Sequence, residues 1–86
     1  MLYRLIRNPV DRIARSDLGT FDTVNAARAH IGALGYDELL AEEDSVHPGC
    51  WDIAATKPGA EITINGRRRR LEGGSTLELF AIERED

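Results

Sequence analysis

Ile62-Thr63-Ile64-Asn65-Gly66-Arg67-Arg68-Arg69-Arg70-Leu71 alternates apolar and polar residues into an Asn-Gly pair and then places four arginines in a row. Asn-Gly is the strongest short-range signal for a two-residue hairpin, because both central residues of a type I′ turn need positive φ. With that turn, Ile64 pairs with Arg67, Thr63 with Arg68, Ile62 with Arg69 and Glu61 with Arg70. Side chains alternate faces along a strand, so the four charges divide two and two. A flat phosphate-binding stripe is therefore not expected. Arg67 and Arg69 are expected to lay their aliphatic stems over Ile62 and Ile64.

Upstream of this hairpin, after Pro48-Gly49, the pattern also has period two. Trp51, Ile53 and Ala55 share one face of a strand and Cys50, Asp52 and Ala54 the other, which makes the Trp51 face the core side. Lys57-Pro58-Gly59 turns the chain into the hairpin, Gly73-Gly74-Ser75 makes the next turn, and Leu77 to Glu83 forms the last strand. Nearer the amino terminus, Leu2 to Arg7 reads as a strand ended by Asn8-Pro9. A short extended piece near Arg12 to Arg15 then follows, closed by a turn at Ser16-Asp17-Leu18-Gly19.

The clearest helix signal covers Thr20 to Leu34. Asp22 or Thr23 can cap it, Val24, Ala27, Ile31 and Leu34 recur at spacings of three and four, and Gly35 stands where a left-handed residue ends a helix. Between Tyr36 and Asp44, Leu39 and Leu40 lie among five acids, which fits a short acidic helix better than a strand.

These elements predict one α+β domain over residues 1–86: an antiparallel sheet of four or five strands with one main helix, Thr23 to Leu34, packed on one face. At 86 residues a chain buries only about 60 to 65% of its unfolded surface, enough for one modest core and no deep cleft. Composition is that of a globular protein, with 42% hydrophobic and 30% charged residues. No apolar run approaches a membrane span and no signal peptide is recognisable, so a cytoplasmic protein without membrane contact is expected. The single Cys50 agrees with a reducing compartment.

Net charge is −4, unevenly spread. Residues 1–36 carry five arginines and three aspartates, residues 37–61 seven acids and one lysine, and the rest five of each sign. An acidic chain argues against a general nucleic-acid-binding role and leaves only the local patch Arg67, Arg68, Arg69 and Arg70 as a candidate anion or nucleic-acid contact. No aromatic residue is interleaved there to stack on bases. His47 and Cys50, three apart, supply too few ligands for zinc, and Asp52 on the face of Cys50 opposes thiolate formation. Asp44, Ser45 and His47 crowd too closely in sequence for a hydrolytic triad. Gly73-Gly74-Ser75-Thr76 lacks the spacing of a phosphate loop. No cofactor, metal or catalytic residue is expected, and the chain reads as non-enzymatic.

Ile62 to Leu71, followed by Gly74-Ser75-Thr76-Leu77-Glu78-Leu79, resembles the opening hairpin and helix start of β-grasp sulfur-carrier proteins of the thiamine-biosynthesis type. The resemblance covers less than a quarter of the chain. It implies a helix beginning near Ser75; the Gly-Gly terminus that carries sulfur in that family has no counterpart in Arg84-Glu85-Asp86, so the carrier function is not implied.

One helix covers one sheet face. Leu77, Leu79 and Ala81 oppose Phe80 and Ile82, and Tyr3 and Leu5 oppose Leu2 and Ile6, so both faces carry apolar residues. The expected function is a self-associating protein-interaction module with Phe80 and Ile82 as the interface, its partner a second copy or another protein. A nucleic-acid or anion-binding arginine hairpin is the alternative.

Overall fold

The computed structural model describes residues 1–57, 61–70 and 76–85. Its strands are β1 (Leu2–Arg7), β2 (Ser16–Phe21), β3 (Asp37–Glu43), β4 (Trp51–Lys57), β5 (Glu61–Ile64), β6 (Arg67–Arg70) and β7 (Thr76–Glu85), with one helix, α1 (Val24–Ala33), between β2 and β3. The main sheet is antiparallel, in the order β2-β1-β7-β4-β3, and β5 and β6 form a separate two-stranded ribbon. The fold is α+β, a five-stranded sheet with one helix packed on it.

Sheet order explains the helix. β2 and β3 lie at opposite edges, about 19 Å apart at the usual strand spacing, and ten helical residues of about 15 Å make the crossing. Thr23 starts the helix, its hydroxyl accepting the Ala26 N–H at 3.0 Å. Gly35, at φ 94, ends it: the Gly35 N–H reaches the Gly32 carbonyl at 3.0 Å and the Tyr36 N–H that of Ile31 at 3.4 Å, the paired bonds of a Schellman ending. Ala27 and Ile31 go under the helix onto Leu5, Ile53, Ala55, Phe80 and Ile82, with Tyr36 closing one end.

Three local expectations are corrected. Ser16-Asp17-Leu18-Gly19 is no turn; it belongs to β2, where Arg4 faces Thr20 and Ile6 faces Asp17, leaving an irregularity in the ladder. Gly19 takes φ 104 there, and the Asp17 carboxylate accepts its N–H at 2.9 Å. The residues that look like turn chemistry make a bulge. Arg12 to Arg15 are not extended either: the Asp11 carboxylate accepts the N–H groups of Ile13 and Ala14, and the Arg15 N–H returns to the Asp11 carbonyl. Asp37–Glu43 is a strand rather than a helix. Seven residues make a marginal helix on their own, whereas the same residues gain a full ladder on β4, with a bulge between Glu38 and Leu40.

Thr76–Glu85 is a strand throughout, so the helix start implied by the sulfur-carrier resemblance is absent at Thr76 to Leu79. The expected turns at Pro58-Gly59 and Gly73-Gly74-Ser75 lie outside the described residues.

Candidate interaction surfaces

The ribbon follows the register read from the sequence: Glu61 with Arg70, Ile62 with Arg69, Thr63 with Arg68 and Ile64 with Arg67. Asn65 at φ 52 and Gly66 at φ 74 form the positive-φ pair that the turn requires. Neither strand packs substantially on any other described element. The molecule measures 53 Å along its longest axis, whereas the ten residues of β7 span only about 33 Å, so the ribbon projects beyond the sheet as an arm. Ile64, Asn65, Arg67 and Arg69 border one shallow hollow on it. Arg67 and Arg69 are exposed there, and Ile64 remains 52% exposed, so the arginine stems leave it largely uncovered.

Phe80 and Ile82, expected at an interface, are each 1% exposed and face α1 in the core. That expectation is corrected. The helix took the even-numbered side of β7, and the open side belongs to the other parity: Leu77 and Leu79 are 61% and 44% exposed, and Leu40 on β3 is 54% exposed. Register places Leu40 beside Ala54 and Ala54 beside Leu79, a small apolar row across β3, β4 and β7. The segment 8–15 borders it, anchored where the Asn8 N–H meets the Leu79 carbonyl at 2.8 Å. Pro9, Val10, Leu40, Glu42, Asp52, Ala54 and Leu79 enclose an open concavity of about 340 Å³.

Charge on this open face is unevenly matched. Near β2 the Arg4 guanidinium bridges Asp17 and Glu85, which raises its pKa, the Glu85 bond contributing most. Asp17 is held below the ordinary aspartate range, chiefly by the Gly19 N–H and with help from Arg4. At the β3 side, Glu42 stands directly opposite Asp52, both exposed, and neither has an ion-pair partner among the described residues. Like charges facing each other across a ladder are destabilising.

On the helix face, polar groups are largely consumed internally. The Arg7 guanidinium donates to Glu78 and to the Tyr36 hydroxyl, each at 3.0 Å, and lies with Lys57 against the Tyr36 ring. Glu78 accordingly raises the Arg7 pKa. Arg28 binds Glu38 through two nitrogens and also packs over Trp51.

His47 and Cys50 sit at the rim of a second hollow, about 400 Å³, with Asp44, Trp51, Asp52 and Arg84. The Asp44 carboxylate accepts the N–H groups of Val46 at 2.8 Å and His47 at 3.3 Å, which lowers its pKa and shapes the turn. Among the described residues no group of three potential ligands is positioned to hold a metal. Gly49 is required in this loop: it takes φ 87, and a Cβ there would come within 2.9 Å of the Arg84 side chain. No described helix is long and apolar enough to cross a membrane.

Comparison with known proteins adds no family. No family model matches the chain, and no curated protein or solved structure is significantly similar to it.

Proposed function

We propose that this protein is a non-enzymatic interaction module that associates with a second copy of itself through the sheet face opposite α1. The observation that carries the reading is the exposure of Leu40, Leu77 and Leu79 on a face that a single ten-residue helix cannot reach. Apolar side chains left half out of water on one face, beside a concavity, are the common mark of a protein contact. Cytoplasmic residence belongs to the same proposal and is supported by the lone Cys50, half-buried beside Trp51.

Magnitudes limit what the apolar row achieves alone. Completing the burial of three half-exposed leucines on each protomer contributes about 6 kcal/mol to a dimer, against an association cost of about 4 to 15 kcal/mol. The leucines make a contact site and leave affinity to further groups.

Sedimentation velocity across a broad concentration range tests the reading. A dimer that Leu79→Glu converts to a folded monomer supports it; a wild-type protein that stays monomeric near millimolar concentration overturns it. The second reading, anion or nucleic-acid binding, is favoured by the adjacent exposed guanidinium groups of Arg67 and Arg69 on the projecting arm.

A further inference from the structure

Resting on that self-association, we propose that the β5–β6 arm of each copy seats on the open sheet face of the other, Arg67 and Arg69 against Glu42 and Asp52 and Ile64 in the concavity beside Leu40 and Leu79. Four observations converge on this pairing. The arm projects from the sheet, so its exposed residues are presented outward and not to their own core. One side of it mixes an apolar residue, Ile64, with two exposed cations. The open face carries the complementary mixture, an apolar row with a concavity of about 340 Å³ and two acids. Those acids stand across from each other, Glu42 opposite Asp52, and neither has an ion-pair partner among the described residues.

Apolar complementarity alone leaves affinity short, and a cation between two facing carboxylates removes a repulsion as well as adding an attraction. The acidic pair thereby favours a partner that is cationic and apolar at once, and the chain itself provides one. Because each copy offers one arm and one groove, reciprocal exchange about a two-fold axis satisfies both and closes the assembly at two subunits. A single arm seated without reciprocation would leave a free groove at one end and a free arm at the other, and would polymerise.

A charge-swap pair tests this on the full chain. Variant one carries Arg67→Glu and Arg69→Glu; variant two carries Glu42→Arg and Asp52→Arg. All four positions are exposed, so both variants should keep the wild-type circular dichroism spectrum. Each variant alone should be monomeric where wild type is dimeric, since its arm and groove then bear the same sign, and an equimolar mixture should form a one-to-one heterodimer. The wild-type dimer should also weaken about tenfold as salt is raised from about 0.05 to 0.5 M, through screening of these pairs. A wild-type dimer that Leu79→Glu dissociates but both swaps leave intact would overturn the arm while leaving self-association standing. A monomeric wild type overturns both. A mixture that stays monomeric, or a wild type that forms open polymers, overturns the reciprocal exchange.

Discussion

Phe80 and Leu79 are neighbours in β7 with opposite fates: Phe80 lies edge-on to Tyr36, ring centroids 5.5 Å apart in the core, while Leu79 faces outward, 44% exposed, on the side of the sheet away from α1. Alternation along one strand separates a stability residue from a contact residue by a single position.

Truncating each therefore has a different consequence. Phe80→Ala should destabilise the fold by about 3 to 5 kcal/mol, as a large-to-small change in a filled core does. Leu79→Ala should cost the isolated monomer less than about 1 kcal/mol. Urea denaturation of both variants under monomeric conditions measures the difference, and equal costs would contradict the assignment of faces.

Helix capping gives a second expectation. Thr23→Ala removes the acceptor of the Ala26 N–H and should lower stability by about 1 kcal/mol, whereas Thr23→Ser should retain most of it. Chemical denaturation of the pair distinguishes the lost hydroxyl from lost bulk.

The arm turns on Gly66. Its Cβ position meets nothing within 4 Å, so Gly66→Ala adds no clash and acts through φ 74 alone, at about 1 to 2 kcal/mol. Amide exchange should accelerate in β5 and β6 and remain unchanged in the main sheet, because the two pack on each other and hardly on the rest.

Acid sensitivity follows from three aspartates. Asp11, Asp17 and Asp44 are each held below the ordinary range, first by the backbone N–H groups of Ala14, Gly19 and Val46 respectively. A carboxylate with a depressed folded pKa binds fewer protons folded than unfolded. Its contribution is complete above about pH 4, the unfolded value, and is lost as pH falls through the lower folded one. Thermal melts should show a flat midpoint above that point and a decline below it. Asp44→Asn should make the decline shallower; an unchanged slope would remove Asp44 from the account.

The anion-binding alternative has its own signature. If Arg67 and Arg69 contact duplex phosphates, the logarithm of affinity should fall against the logarithm of salt by about 0.9 per contact, and replacing both with Gln should flatten the slope by up to about two. Fluorescence anisotropy with a labelled duplex reads this directly. The self-association reading expects no retention at physiological salt.

How much was legible in the sequence depends on how local the deciding interaction is. Asn65-Gly66 sets the hairpin register through the φ values of two residues, Thr23 and Gly35 mark the helix ends through bonds a few residues long, and the alternation from Trp51 to Ala55 names the buried side of β4. Residues 37–43 were harder, because an acidic segment with two leucines becomes a strand only when the free edge of β4 is there to pair with it.

The sequence by itself determined that β1 and β7 each carry two apolar faces and that the chain has one main helix to cover them. Which face is covered it could not state, since Leu77 and Leu79 alternate with Phe80 and Ile82 on equal terms. Only the tertiary structure decided: α1, tied to the two edge strands, docks Ala27 and Ile31 onto Phe80, Ile82 and Leu5. A one-residue step along a strand reverses every side chain, and the choice between the two sides rests on long-range packing that no local pattern encodes.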